Sequence, residues 1–247
     1  MKLKDGQIVT GAIIKRMMVY QQALKLKDED YPGLPDILIE ESTLTRCVLK
    51  PSVTSYRIPE EVTHVTMDAF WSYSSPITED TDYYSLLETL YIPKNVSFIT
   101  PSALNGLLFL SEIIVDEDNP YFRSIDGILY TKDGKKLVSC PPGKANEVLK
   151  IPSGTEVIGE NSFENSLAVR VEVPETLKEI EDDAFWYSYS RQLDLTAAEI
   201  KSFGKRIFDD VADMTIYAGK NRISKHLFDE DSVYEIVYPE KGKKNDK

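Results

Sequence analysis

Apolar residues along the chain follow two periods. From about Gln7 to Lys27 the spacing is helical. Val9, Ile13, Met17, Tyr20 and Leu24 recur every three or four residues and share a face, which Ile14 and Met18 widen. Lys25 and Lys27 are expected in the last turn, where cations complement the helix dipole. Such a helix is expected to cover the open end of the domain, with a partner-binding or dimerising role as the alternative. The segment Asp28-Glu29-Asp30-Tyr31-Pro32-Gly33-Leu34-Pro35 combines charge, two prolines and a glycine, so it reads as a linker. Beyond it the pattern changes to short strands with alternating apolar positions: Leu90/Ile92, Leu149/Ile151, Val171/Val173 and Leu193/Leu195. Ile113/Val115, Met214/Ile216 and Ile236 add further rungs.

Each strand is followed by a recurring phrase. It runs Ile58-Pro59, Val62, Val65, Phe70 in its first copy and Ile92-Pro93, Val96, Ile99, Leu104 in its second. Ile151-Pro152, Thr155, Ile158, Phe163 and Val173-Pro174, Leu177, Ile180, Phe185 continue it. A degenerate fifth copy has Thr196-Ala197, Ile200, Phe203, Phe208. Phe163 and Phe185 lie 22 residues apart, and Phe185 and Phe208 lie 23 apart. That period falls in the range of leucine-rich-repeat solenoids, whose strands stack in parallel so that each repeat touches only its neighbours. Proline after the aliphatic residue ends each strand by removing a ladder donor. Phe70, Phe163, Phe185 and Phe208 are then core plugs. An insert separates Pro76 from Glu88. The period fails again between Ile114 and Ile151, where Asp133-Gly134 stands between Ile128-Leu129-Tyr130 and Leu137-Val138 and signals an extra hairpin.

The Ile-Pro…Val…Ile…Ala-Phe units, clearest in Ile58–Phe70 and Val173–Phe185, resemble the BspA-type leucine-rich repeats. So does Asn119-Pro120-Tyr121-Phe122…Asp126-Gly127-Ile128-Leu129-Tyr130, an insertion common in that family. Leu38-Ile39-Glu40 through Leu44-Thr45-Arg46 resembles the lead-in that precedes its first repeat. The resemblance covers about residues 37–217. It implies a right-handed leucine-rich-repeat solenoid, β-rich with short helices or 3-10 turns, in a protein at a bacterial surface or secreted, acting by binding rather than catalysis. The expected organisation is an N-terminal capping helix over 1–30, a linker and lead-in over 31–57, the solenoid over 58–217 with the hairpin insertion at about 116–147, and a C-terminal cap with a frayed tail over 218–247.

Composition narrows the function. Against 29 basic residues stand 41 acidic ones, a net charge of −12, which argues against nucleic acid as a partner. No apolar run reaches the roughly 18–20 residues of a membrane span. No signal peptide is visible, so the chain as it stands reads as cytoplasmic, and the resemblance implies a surface location if a leader was trimmed. No phosphate loop or nucleophile elbow occurs. His64 and His226 have no metal-type partner at helical spacing, Cys47 and Cys140 lack zinc spacing, and Asp116-Glu117-Asp118 and Glu79-Asp80-Thr81-Asp82 lack the order of an EF-hand. No catalytic, cofactor or metal site is therefore expected.

Two binding surfaces remain. Strand alternation turns Arg57, Tyr91, Ile114, Lys150, Glu172, Asp194 and Tyr217 outward on the concave face, with Thr215 beside them. The other surface is a pair of aromatic clusters in matching repeats: Trp71 and Tyr73 after Phe70, and Trp186, Tyr187 and Tyr189 after Phe185. Both tryptophans of the chain are used this way, and Tyr83 and Tyr84 stand near the first cluster. The function read from these residues is a non-catalytic module binding a protein partner on the concave face or the aromatic edge. The alternative is an adhesin or glycan-binding protein using the Trp/Tyr clusters.

Overall fold

The computed structural model describes residues 11–71, 83–211 and 213–239. They form a β-solenoid whose strands fall in two rows. The first row pairs Ser55–Arg57, Thr89–Ile92 and Glu112–Val115 in parallel, then resumes with Val148–Lys150, Arg170–Glu172, Gln192–Asp194, Met214–Tyr217 and Tyr234–Val237. The second row holds two-residue strands, His64–Val65, Phe98–Ile99, Val157–Ile158, Glu179–Ile180 and Ser202–Phe203. Between them lies the Ile-Pro or Val-Pro corner. The strand cannot continue through a residue that donates no hydrogen bond, and the chain turns there into the second row. The parallel ladder runs on to Tyr234–Val237, so the solenoid extends past residue 217 into the region expected to cap it.

The third side of the coil carries the plug, aromatic in four repeats and Leu104 in the second. Phe163, Phe185 and Phe208 are fully buried and stack face to face, with centroids 4.7 and 5.7 Å apart, and Phe228 extends the column at 5.0 Å. Phe70 is buried in a second core cluster with Leu90, Leu104 and Ile113. The core is thus in two parts, one per half of the solenoid.

The halves meet where the period breaks. Phe122–Ile125, Ile128–Thr131 and Lys136–Ser139 form an antiparallel meander, one strand more than the hairpin expected at Asp133-Gly134. Its third strand pairs in parallel with Val157–Ile158 and so launches the second row of the C-terminal half. Leu129 packs into the N-terminal cluster, while Ile128 and Tyr130 pack into the other. Asn119 anchors the entry: its fully buried amide donates to Pro93 O and Val96 O and accepts from the backbone N–H groups of Tyr121 and Phe122.

Three expectations near the N-terminus change. The lead-in is a full hairpin, Asp36–Glu40 against Thr43–Val48, whose second strand starts the second row beside His64–Val65. The linker is packed, with Tyr31 and Leu34 buried against Val48 and Tyr83. The helix α1 spans Gly11–Ala23, so Lys25 and Lys27 lie beyond it. It does not cover an open end but lies along the third side of the middle coils. Met17 meets Leu167 and Val169, Ala23 meets Leu86 and Phe109, and the Tyr20 ring sits edge-on to Phe109 at 5.0 Å. Ile14, Met18 and Leu24 are exposed. Apolar residues surround this helix on every side, so their spacing did not define one buried face.

Candidate functional site

The seven outward residues of the first row fall into two ladders. Arg57, Tyr91 and Ile114 are register partners, and so are Lys150, Glu172, Asp194 and Tyr217. Thr215 belongs to the neighbouring column, beside Gln192. The meander separates the two ladders. Within the second, the charges satisfy one another. Arg170, which strand alternation alone did not single out, donates to Glu172 at 3.0 Å, Gln192 at 3.2 Å and Asp194 at 2.5 Å, and its guanidinium lies 5.5 Å from the Tyr217 ring centre. Lys150 pairs with Glu172 at 3.6 Å. In the first ladder Arg57 covers the Tyr91 ring at 5.2 Å. The charges of the second ladder thus pair with one another at the surface, and such pairs contribute little individually.

Beside α1, on the third side of the coils, residues of the two aromatic clusters come together. Trp71, Trp186, Tyr187 and Tyr189 line one groove of about 460 Å³, together with Tyr84, Leu108, Asn165 and the Lys15, Arg16 and Val19 side of α1. Tyr73 lies outside the described residues. The volume is in the range of small-ligand and peptide pockets. Trp71 lies flat over the coil because residue 106 is glycine; a Cβ there would stand 2.9 Å from its indole. Trp186 is held by a 2.9 Å bond from its indole N–H to Asp210, with 37% of its surface exposed. Tyr187 stands edge-on to both Trp186 and Tyr189.

Tyr187 carries a further mark. Its backbone φ is +53°, and the equivalent positions one coil before and after are Asn165 at +60° and Asp210 at +56°. The coil requires the left-handed region here. Asn and Asp tolerate it because their short polar side chains bond locally, whereas a bulky side chain costs roughly 1–2 kcal/mol. Tyr187 is thus an exposed, bulky residue in a backbone conformation that its neighbours in the column fill with asparagine and aspartate.

Arg16 forms the floor. It is 6% exposed, donating from Nη1 to Leu108 O at 2.5 Å and from Nη2 to Asn165 O at 3.3 Å, and so ties α1 to both halves of the solenoid. Burial lowers its pKa to about 10, which leaves it charged at neutral pH. Burial likewise raises the Tyr189 phenol, with Tyr187 adding to the shift.

The remaining chemistry-bearing groups do not gather. Cys47 and Cys140 are free, buried in different core clusters, and burial pushes each thiol up to about 12. His64 is exposed beside Thr63 and Phe98, and His226 lies in the short 3-10 turn Lys225–Leu227. Among the described residues no group of His, Cys, Asp or Glu could hold a metal ion, and no helix is long and apolar enough to cross a membrane.

Residues 143–246 match the profile described as "BspA type Leucine rich repeat region", in six copies. No curated protein matches the chain. A leucine-rich repeat protein from Eubacterium ventriosum superposes with a TM-score of 0.56 at 14% identity, over 74% of this chain and 54% of its own. The pneumococcal vaccine antigen PcpA superposes with a TM-score of 0.50 at 21% identity, over 76% of this chain and 58% of its own. The chain therefore spans little more than half the length of these structures, and the likeness is one of fold.

Proposed function

We propose, from the premise that residues 143–246 belong to the BspA-type leucine-rich repeats, that this chain is a non-catalytic interaction module binding a protein partner through the aromatic groove. The observation that carries this reading is the convergence of Trp71 and Trp186, from different halves of the solenoid, on one groove walled by α1. Trp, Tyr and Arg are the residues that dominate protein-binding hot spots, and all three line it. The concave row is the weaker candidate because its charges already engage one another. A surface location belongs to the same proposal, in keeping with the description of the pneumococcal structure as a vaccine antigen.

Affinity capture with three forms of the chain separates the surfaces. Trp71→Ala combined with Trp186→Ala is expected to weaken capture by 2 kcal/mol or more, about 30-fold. Tyr91→Ala combined with Lys150→Glu is expected to leave it within about threefold, since rim contacts carry little energy. The reverse outcome would place the site on the concave face. A partner that proves to be an oligosaccharide, bound with a change in tryptophan emission, would favour the adhesin reading instead.

The left-handed tyrosine gives a second test. Tyr187→Asn is expected to leave stability unchanged or raise it by up to about 1 kcal/mol while lowering affinity for the partner. Urea unfolding and the capture assay read the two effects separately. A variant that lost stability and kept binding would make Tyr187 a packing residue.

A further inference from the structure

The groove lining is anomalous in charge. Among the described residues that line it are two cations, Lys15 and Arg16, and no carboxylate, in a chain where acids outnumber bases 41 to 29. Arg16 is 94% removed from solvent, yet among the described residues neither Arg16 nor Lys15 has an ion-pair partner. Its two hydrogen-bond acceptors, Leu108 O and Asn165 O, are neutral backbone carbonyls that carry no balancing charge. Asp210, the acid close to the aromatics, is taken by the Trp186 indole. A buried guanidinium ordinarily sits beside a carboxylate, because an uncompensated buried charge is costly.

We infer that the missing counter-charge arrives with the ligand. The groove takes a short peptide segment of its protein partner in which one Asp or Glu, flanked by apolar or aromatic residues, pairs with Arg16 and Lys15 while its neighbours pack on Trp71, Trp186 and Tyr187. This rests on the groove reading above and specifies its partner. Charge complementarity selects the acid, and the Trp/Tyr/Arg lining selects a peptide over a carboxylated sugar. The chain's overall negative charge repels strongly acidic polymers and favours a segment with a single acid.

The test selects random eight-residue peptides on the immobilised full chain and measures binding of the enriched sequences by tryptophan emission. Enriched peptides are expected to carry one Asp or Glu among apolar residues, and changing that acid to its amide should weaken binding about tenfold. Lys15→Glu alters an exposed side chain that has no hydrogen bond or ion pair among the described residues, and it should abolish the acid preference. Arg16→Lys should keep it in part. Enriched peptides that need Trp186 but show no acid preference, or keep it in Lys15→Glu, overturn the counter-charge inference and leave the groove reading standing. Peptides indifferent to Trp186→Ala, or no enrichment, overturn both. Displacement of the peptides by sialyllactose or polygalacturonate at lower concentration overturns the peptide as occupant.

Discussion

Phe185→Ala is expected to lower the free energy of unfolding by about 3–5 kcal/mol. The ring is fully buried and lies between Phe163 at 4.7 Å and Phe208 at 5.7 Å, so truncation leaves a cavity bounded by two rigid aromatic faces. Such a gap collapses poorly, because each neighbour is itself held by the plug of the next coil. The backbone N–H of Phe185 bonds to Ile207 O and Phe163 N–H bonds to Ala184 O, which further fixes the third side against closing in. Urea denaturation reads the loss. Hydrogen exchange should place it across the C-terminal cluster from Leu149 to Phe208, since a solenoid transmits disturbance from neighbour to neighbour. Trp186→Ala, one residue on and 37% exposed, is the control and is expected to cost about 1 kcal/mol or less. Equal losses in the two variants would mean that the aromatic column is not what holds the coils together.

That column was legible in the sequence because its cause is local. Each plug sits a fixed distance after an Ile-Pro or Val-Pro corner, and Phe163, Phe185 and Phe208 keep a 22–23 residue period that stacking demands. The outward register of Arg57, Tyr91 and Ile114 was legible for the same reason: a period of two on a short strand fixes the face. The groove was not, although its two tryptophans stand in matching repeats. It is built from residues 15–19, 71, 84, 108, 165 and 186–189, which no repeat period connects. Arg16, Tyr20 and Ala23, at i, i+4 and i+7, mark the face that meets the coils. A cation at helical spacing with Tyr20 and Ala23 is the signal that the sequence carries. Arg170 escaped for a related reason: alternation gave its column no priority, and only its reach to Glu172 on its own strand and to Gln192 and Asp194 on the next reveals it as the centre of the network.

Asn105→Ala is expected to cost about 2–3 kcal/mol at pH 7, by unfastening the joint between the two halves. The Nδ2 of Asn105 donates to Glu164 Oε2 at 2.8 Å and to Asn161 O at 3.0 Å, while Ser102 Oγ donates to the same carboxylate oxygen at 2.8 Å. Glu164 is 3% exposed and its pKa is raised, burial outweighing the pull of Asn105 and Ser102 toward the ionised form. A folded state that holds this proton more tightly than the unfolded chain loses stability as pH rises from the ordinary value of 4.5 through the raised one. Removing Asn105 deletes a group that favours ionisation, so the raised value climbs and the window of loss extends upward. The destabilisation is therefore expected to be smaller at pH 4, where folded and unfolded forms are both largely protonated, and to grow toward pH 8. Glu164→Gln carries no such charge and should flatten the dependence while keeping an acceptor for Asn105. Urea midpoints of the parent and both variants at pH 4, 6 and 8 decide the matter. A cost for Asn105→Ala that stayed constant across that range would show that the joint acts through packing and neutral hydrogen bonds, not through the ionisation of Glu164.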